Sequence, residues 1–290
     1  MQFSPRLLCA AGSLAVFVAA SRPAEAVDVY IVAGQSNGWR ISHLSQGDEK
    51  APESPHDVHY FGMKCVTEPD RPDVSPVLTR LDPNTMGYGL AESLLELSDD
   101  DIIFVQFCRC GSGLWNKKVN GWYPGDDPQN GQTHDTALYG LFLKYVAACR
   151  ATAEERGLEW DLRGLFWHQG ESDSRRPVAE YEPDFRNLIW RFRHDLRDGL
   201  PIVVGHIREL DDGDRAVNAM FDRLADEDPL FSAVPTRDLQ FEPDRDGKPN
   251  VHIARAGCHE LGRRMATALQ KIEEEQTAPR NEDATEGSRR

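Results

Sequence analysis

Short apolar runs alternate with longer stretches of helical periodicity along most of this chain. The runs cover residues 27–33, 58–62, 102–107, 162–167, 202–206 and 231–235. Most are rich in β-branched and aromatic side chains and have the length and near-continuous apolar character of strands buried on both faces. Between them, apolar residues recur at three- and four-residue spacing. Leu90, Leu94, Leu95 and Leu97 mark a helix over 86–97, and Leu138, Leu141, Phe142, Tyr145 and Val146 mark one over 135–156. Further helices are expected over 181–196, 215–224 and 254–271. Strands that alternate with helices in this way imply an α/β domain with a central parallel sheet and helices on both faces. The carboxyl ends of the strands in such a sheet share one edge, where ligands bind.

Three of the expected strands end in unusual turns, and these bring candidate chemistry to that edge. The first, after the 27–33 strand, reads Gly34-Gln35-Ser36-Asn37-Gly38. Glycines on either side of a serine permit a tight strand-to-helix turn that presents the hydroxyl above the sheet, the pattern of a nucleophile elbow. The second is Cys110-Gly111-Ser112-Gly113, and the third His168-Gln169-Gly170-Glu171-Ser172-Asp173. His252 stands in the last loop before the final helix and can reach the same edge. A serine hydroxyl becomes a useful nucleophile when an imidazole takes its proton, so Ser36 and His252 form the candidate pair. Taken singly, each residue has a plainer reading. Ser36 sits in a turn-forming Gly/Ser/Asn stretch, Gln169 and Glu171 can cap the following helix, and His252 can be a loop histidine.

Two loops add further candidates. Residues 113–133 form a long segment carrying Trp115, Trp122 and Tyr123 among Gly, Asn and Asp. Flat rings with polar neighbours suit stacking on sugar faces, and equally suit anchoring the loop to the core. Residues 40–85 are rich in Pro, Asp, Ser and His. His56, His59 and Cys65 fall close together there, but a closed zinc site needs four ligands at recognisable spacing. They are read as polar loop residues, with no metal expected.

Length and charge narrow the setting. A chain of 290 residues is ample for one large domain. Residues 1–26 have the form of a signal peptide: Arg6, an apolar run over 7–20, and Ala24-Glu25-Ala26 as a small-x-small cleavage site. This predicts a secreted or periplasmic protein cleaved near Ala26, with its folded domain over 27–271. Residues 272–290 are polar and charged and are expected to be a disordered tail. No later stretch is long and apolar enough for membrane insertion. The formal net charge of −15 argues against nucleic acid as a partner. Beyond the leader lie Cys65, Cys108, Cys110, Cys149 and Cys258, an odd number whose pairing the sequence does not fix.

The pieces Gly34-Gln35-Ser36-Asn37, Trp167-His168-Gln169-Gly170-Glu171-Ser172-Asp173, and His252 with Ala256-Gly257 and Leu261-Gly262-Arg263-Arg264 together resemble the SGNH hydrolases. Within them the chain is similar to the sialate O-acetylesterase-like group that includes the family-six carbohydrate esterases. The resemblance runs over nearly all of residues 27–270. It implies a flavodoxin-like, three-layer α/β/α sandwich and a serine esterase that removes acetyl groups from glycans, with no cofactor. Carried over by motif, Ser36 is the nucleophile and His252 its base. The backbone N–H groups of Ser36 and Gly111, with the side chain of Gln169, form the oxyanion hole. Gln35, Asn37 and His168 join Trp115, Trp122 and Tyr123 as expected substrate-binding residues. The group usually has an Asp three residues before the histidine, and Pro249 stands there instead. The acid that orients His252 is therefore expected to be Glu171, with Asp246, or more distantly Asp244, as the alternative. Two other functions stay open: a carbohydrate-binding protein with impaired catalysis on the same scaffold, and a general carboxylester hydrolase. The oligomeric state is not legible.

Overall fold

The computed structural model describes residues 25–39, 58–62, 78–79, 81, 86–96, 101–115, 121–125, 138–244 and 246–277. His56, Cys65, residues 1–24 and residues 278–290 lie outside them. In chain order the elements are β1 (Glu25–Gly34), α1 (Ser36–Trp39), β2 (Val58–Gly62), β3 (Leu78–Thr79), α2 (Met86–Leu95), β4 (Ile102–Cys108), α3 (Leu138–Glu154) and β5 (Leu158–His168). They continue with α4 (Val178–Asp195), β6 (Ile202–Gly205), α5 (Asp212–Glu227), β7 (Phe231–Val234) and α6 (Arg255–Thr277).

One seven-stranded sheet runs in the order β3-β2-β4-β1-β5-β6-β7. All neighbours are parallel except the short β3, which is antiparallel to β2. Side chains leave a strand alternately to its two faces, so β1 feeds two cores. Val29, Ile31 and Ala33 join the core under α3, α4 and α5, while Tyr30 and Val32 join the one under α2 and α6. The fold is the expected three-layer α/β/α sandwich. Each Leu, Val, Ile or Phe taken out of water contributes about 1.5–3 kcal/mol, and the central β4 is buried at every position. Helices α2 and α6 cross very closely. A Cβ on Gly89 would fall 2.0 Å from the His259 carbonyl oxygen, and one on Gly262 2.6 Å from the Leu90 nitrogen.

Register matters most for function. Gly34 of β1 lies level with Cys108 of β4 on one side and His168 of β5 on the other. The three turns read from the sequence therefore leave the sheet together, at its carboxyl edge.

Several boundaries extend past the apolar pattern, each for a local reason. Helix α5 begins before residue 215 because Asp211 and Asp214 cap it reciprocally: Asp214 N–H donates to Asp211 Oδ1 at 3.0 Å and Asp211 N–H to Asp214 Oδ2 at 3.2 Å. Strand β5 starts at Leu158, where its first residues pair with Glu25 and Ala26 of β1. Helix α6 continues to Thr277, into the segment expected as a tail. Ile272 is buried there, and Glu273 Oε1 pairs with Arg163 at 3.0 Å. No helix of the described residues is long and apolar enough to cross a membrane.

Candidate active site

β1 ends where it passes closest to β5. Gly34 has φ 131°, and a Cβ there would sit 2.1 Å from the His168 carbonyl oxygen, so only glycine allows the approach. The next N–H, of Gln35, donates to that same carbonyl at 2.8 Å. Ser36 then opens the single turn α1, which is held from below by a buried amide. Gln106 Nε2 donates to Gly38 O at 2.7 Å, and the Tyr60 hydroxyl donates to Gln106 Oε1.

His252 arrives from the other end of the chain. The segment between β7 and α6 folds back on itself through an isolated antiparallel bridge between Phe241 and Ile253. Glu242 N–H donates to His252 O, and Ala254 N–H to Gln240 O, both at 2.8 Å. This ribbon delivers the imidazole to the elbow, with Nε2 3.2 Å from Ser36 Oγ. The two residues, 216 apart in sequence, thus meet at hydrogen-bond distance.

Asn37 fixes that meeting. Its Nδ2 donates to Val251 O at 3.1 Å and its Oδ1 accepts from Ile253 N–H at 3.1 Å, so one side chain grips the backbone on both sides of His252. Nδ2 also donates to Glu171 Oε1 at 2.7 Å, which sets the orientation of the amide, since a carboxylate can only accept. Asn37 was expected to bind substrate. It is 1% exposed, and all these bonds are internal.

The nitrogen of His252 that faces away from Ser36 meets an amide. Nδ1 lies 3.0 Å from Asn250 Oδ1, which also accepts from the His252 backbone N–H at 3.1 Å. Glu171, expected at that nitrogen, instead bonds Asn37 and lies 3.6 Å from His168 Nδ1. Asp246 is exposed in the turn before Asn250, at φ 52°, and Asp244 Oδ1 accepts from Asn250 N–H at 3.2 Å. Asn250 is the site residue the sequence reading missed. The signal was present: an Asn side chain commonly bonds the backbone N–H two residues on, here that of His252.

Gln169 is buried, and both ends of its amide are engaged. Nε2 donates to Asp173 Oδ2 at 2.7 Å and more weakly to Ser112 O at 3.5 Å, while Oε1 accepts from the Tyr181 hydroxyl at 3.2 Å. Asp173 also accepts from Leu114 N–H at 2.7 Å. Burial holds the Asp173 carboxyl above the ordinary carboxylate range, although these donors and Arg176 pull the other way. Gln169 and Asp173 together tie the Gly111–Gly113 turn to β5. Gly111 itself is exposed at φ 66°. Gln35 beside Ser36 is buried, and its Oε1 has no hydrogen-bond partner among the described residues. His168 is fully buried, and burial pushes its pKa down, so the ring stays neutral.

The aromatic loop divides in two. Trp122 lies in the core, packed edge-on against Phe107, Phe142 and Trp167, with Nε1 donating to Ser112 Oγ at 2.9 Å. Trp115 and Tyr123 are half-buried and pack against each other, their ring centres 5.5 Å apart. A cavity of about 1090 Å³ opens near the histidine-bearing ribbon, with Arg208, Phe241, Glu242 and Asp244 in its wall. Of the residues weighed as metal ligands, His59 is described and pairs with Asp101 at 3.4 Å. Among the described residues no group of three or more His, Cys, Asp or Glu is arranged to hold a metal ion.

No curated protein matches the chain at the sequence level. Among solved structures, a protein from Arabidopsis thaliana is 18% identical with a TM-score of 0.59, over 85% of this chain and 99% of that one. NanS is 16% identical with a TM-score of 0.61, over 86% and 98% respectively. A carbohydrate acetylesterase from Xanthomonas citri is 14% identical with a TM-score of 0.61, over 84% of this chain and 56% of that one. At such identities the likeness is one of fold. The family model "carbohydrate esterase, sialic acid-specific acetylesterase" matches residues 26–271. That match takes in all seven strands but for Glu25 and covers every residue of the site, and the chain belongs to this family of carbohydrate esterases.

Proposed function

We propose that this carbohydrate esterase removes O-acetyl groups from glycans through an acetyl-enzyme on Ser36. The observation that carries the reading is the 3.2 Å approach of His252 Nε2 to Ser36 Oγ at the carboxyl edge of the sheet. His252 takes the Ser36 proton as Oγ attacks the acetyl carbonyl. The backbone N–H groups of Ser36 and Gly111 receive the negative charge that develops on the carbonyl oxygen, each such donor being worth about 3 kcal/mol. The ester bond then breaks, and His252 returns the proton to the departing sugar oxygen. Water, deprotonated by His252, attacks acetyl-Ser36, and acetate leaves with Ser36 restored.

In this scheme Gln169 shapes the hole through its hold on Asp173 and Ser112 O. Asn37, with Glu171 behind it, keeps His252 in place. Trp115 and Tyr123 offer ring faces to the sugar, and Gln35 Oε1 offers a buried acceptor to a substrate hydroxyl. The acetylated sugar is proposed to be sialic acid or a plant-type polysaccharide unit, the first favoured by the family's description. Export through residues 1–26, with cleavage near Ala26, is part of the proposal. Cleavage there would leave β1 paired from Val27 onward.

The test is acetate release from O-acetylated sialic acid and acetylated xylan, beside 4-nitrophenyl acetate, with Ser36→Ala as control. Glycan turnover that vanishes in Ser36→Ala supports the reading. Turnover of 4-nitrophenyl esters with none of any glycan would point to a general esterase, and activity that survives Ser36→Ala would remove the nucleophile.

A further inference from the structure

We propose that Asn250, backed by the buried carboxylate of Glu242, is the positioning residue for His252 and stands where such a pair ordinarily has an acid. The inference rests on reading Ser36 and His252 as the reacting pair. It goes beyond that reading by assigning a neutral amide, with a charge one step removed, to the task of holding the base.

The hydrogen bonds determine which way round the Asn250 amide sits. Its Nδ2 is 3.1 Å from Glu242 Oε2 and 3.2 Å from Pro243 O, and both are acceptors. Turning the amide over would press its oxygen against a carboxylate and a carbonyl in an interior where Asn250 is 7% and Glu242 3% exposed. Oδ1 must therefore face His252, where it accepts from the backbone N–H and lies 3.0 Å from Nδ1. An amide oxygen has no proton to give. Nδ1 must carry the proton, which leaves the Nε2 lone pair for Ser36 Oγ. Glu242 thus sets the Asn250 amide, the amide sets the tautomer, and the tautomer makes Nε2 a base.

The backbone around this relay is held as firmly. Glu242 N–H donates to His252 O across the antiparallel ribbon at 2.8 Å. Asn250 N–H donates to Asp244 Oδ1 at 3.2 Å, and the Arg208 guanidinium donates to Asn250 O while lying over the Phe241 ring. A carboxylate at Nδ1 would do two things, fixing the tautomer and stabilising the imidazolium. Asn250 does the first directly. The second passes through its polarised amide to Glu242, because hydrogen-bonded groups in a low-dielectric interior strengthen one another.

Ring ¹⁵N NMR of histidine-labelled protein tests this without substrate, with the His252 signals assigned by their loss in His252→Gln. At a pH where the ring is neutral, the wild-type proton should sit on Nδ1, the minor tautomer of a free histidine side chain. Asn250→Leu should move it towards Nε2 and lower kcat by about a thousandfold while KM stays within about threefold, as befits a base in the wrong tautomer. Because Asn250→Leu can also disturb folding, a charge exchange provides the second arm. The double variant Asn250→Asp, Glu242→Gln restores a donor–acceptor match, with the carboxylate now at Nδ1, and should return kcat to within about tenfold of wild type. A wild-type ring protonated on Nε2 overturns the proposal. So does a folded Asn250→Leu that keeps the Nδ1 tautomer, or a double variant no better than Asn250→Leu. If the wild type releases no acetate yet shows the Nδ1 tautomer, the proposed function fails and the relay stands.

Discussion

Removing the Asn37 side chain should separate Ser36 from His252 without touching either. Asn37→Ala deletes three internal bonds: to Glu171 Oε1 at 2.7 Å, to Val251 O at 3.1 Å and from Ile253 N–H at 3.1 Å. The bond to the carboxylate is worth about 1.5–3 kcal/mol, and each backbone group left buried without a partner costs about 1–3 kcal/mol. Water entering the vacated space recovers part of this, so a loss of about 3–5 kcal/mol is expected in denaturant unfolding. The kinetic effect comes from geometry. Both peptide groups flanking His252 lose their anchor, and a drift of about 1 Å in a reacting group costs about a hundredfold in rate. The expected result is kcat for acetate release down about a hundredfold, with KM changed by less than about threefold. Labelling of Ser36 by a serine-directed phosphonate should slow in parallel, because that reaction uses the same base. A variant that unfolds like wild type and keeps kcat within about threefold would refute the clamp.

Glu171→Gln separates the clamp from a triad acid. A glutamine oxygen can still accept from Asn37 Nδ2, so kcat should fall no more than about tenfold, whereas loss of a true triad carboxylate costs about ten-thousandfold. His168 predicts a pH dependence of stability. Its folded pKa lies below the ordinary 6.5, so above that value neither state carries the proton and stability is at its fullest. As pH falls from 6.5 towards the depressed folded value, the unfolded chain takes up a proton that the native state refuses. Stability then declines by up to about 1.4 kcal/mol per pH unit, and chemical unfolding of His168→Leu should show a shallower slope across that window. Trp122→Ala should cost about 3–5 kcal/mol of stability through the cavity it leaves. Trp115→Ala and Tyr123→Ala should instead lower glycan turnover more than 4-nitrophenyl acetate turnover, and equal losses on both would make these rings structural.

The layers were legible in the sequence because buried parallel strands are continuous apolar runs, and all six runs became neighbours in one sheet. Boundaries set by polar residues were less visible: the Asp211–Asp214 cap and the Arg163–Glu273 pair extend elements where no apolar periodicity remains. The meeting of Ser36 and His252 followed from the motifs and the strand ends. The roles of polar partners did not, because an amide or carboxylate is defined by where it points rather than by where it stands in the chain. Glu171 and Gln169 follow a strand end as expected, yet their bonds run to Asn37 and Asp173. Trp122 carried the same sequence cues as Trp115 and Tyr123. Only packing separates the anchor from the half-buried pair.

Covalent capture of Ser36 tests whether this hydroxyl carries the acetyl group. The protein is titrated with a serine-directed phosphonate, and the label is located by peptide mass spectrometry while residual acetate release from O-acetylated sialic acid and acetylated xylan is followed. The expected result is a single phosphonate per chain, on Ser36, with activity on glycan falling in proportion to the fraction labelled. Label on another residue, or acetate release that persists when Ser36 is fully modified, would contradict it.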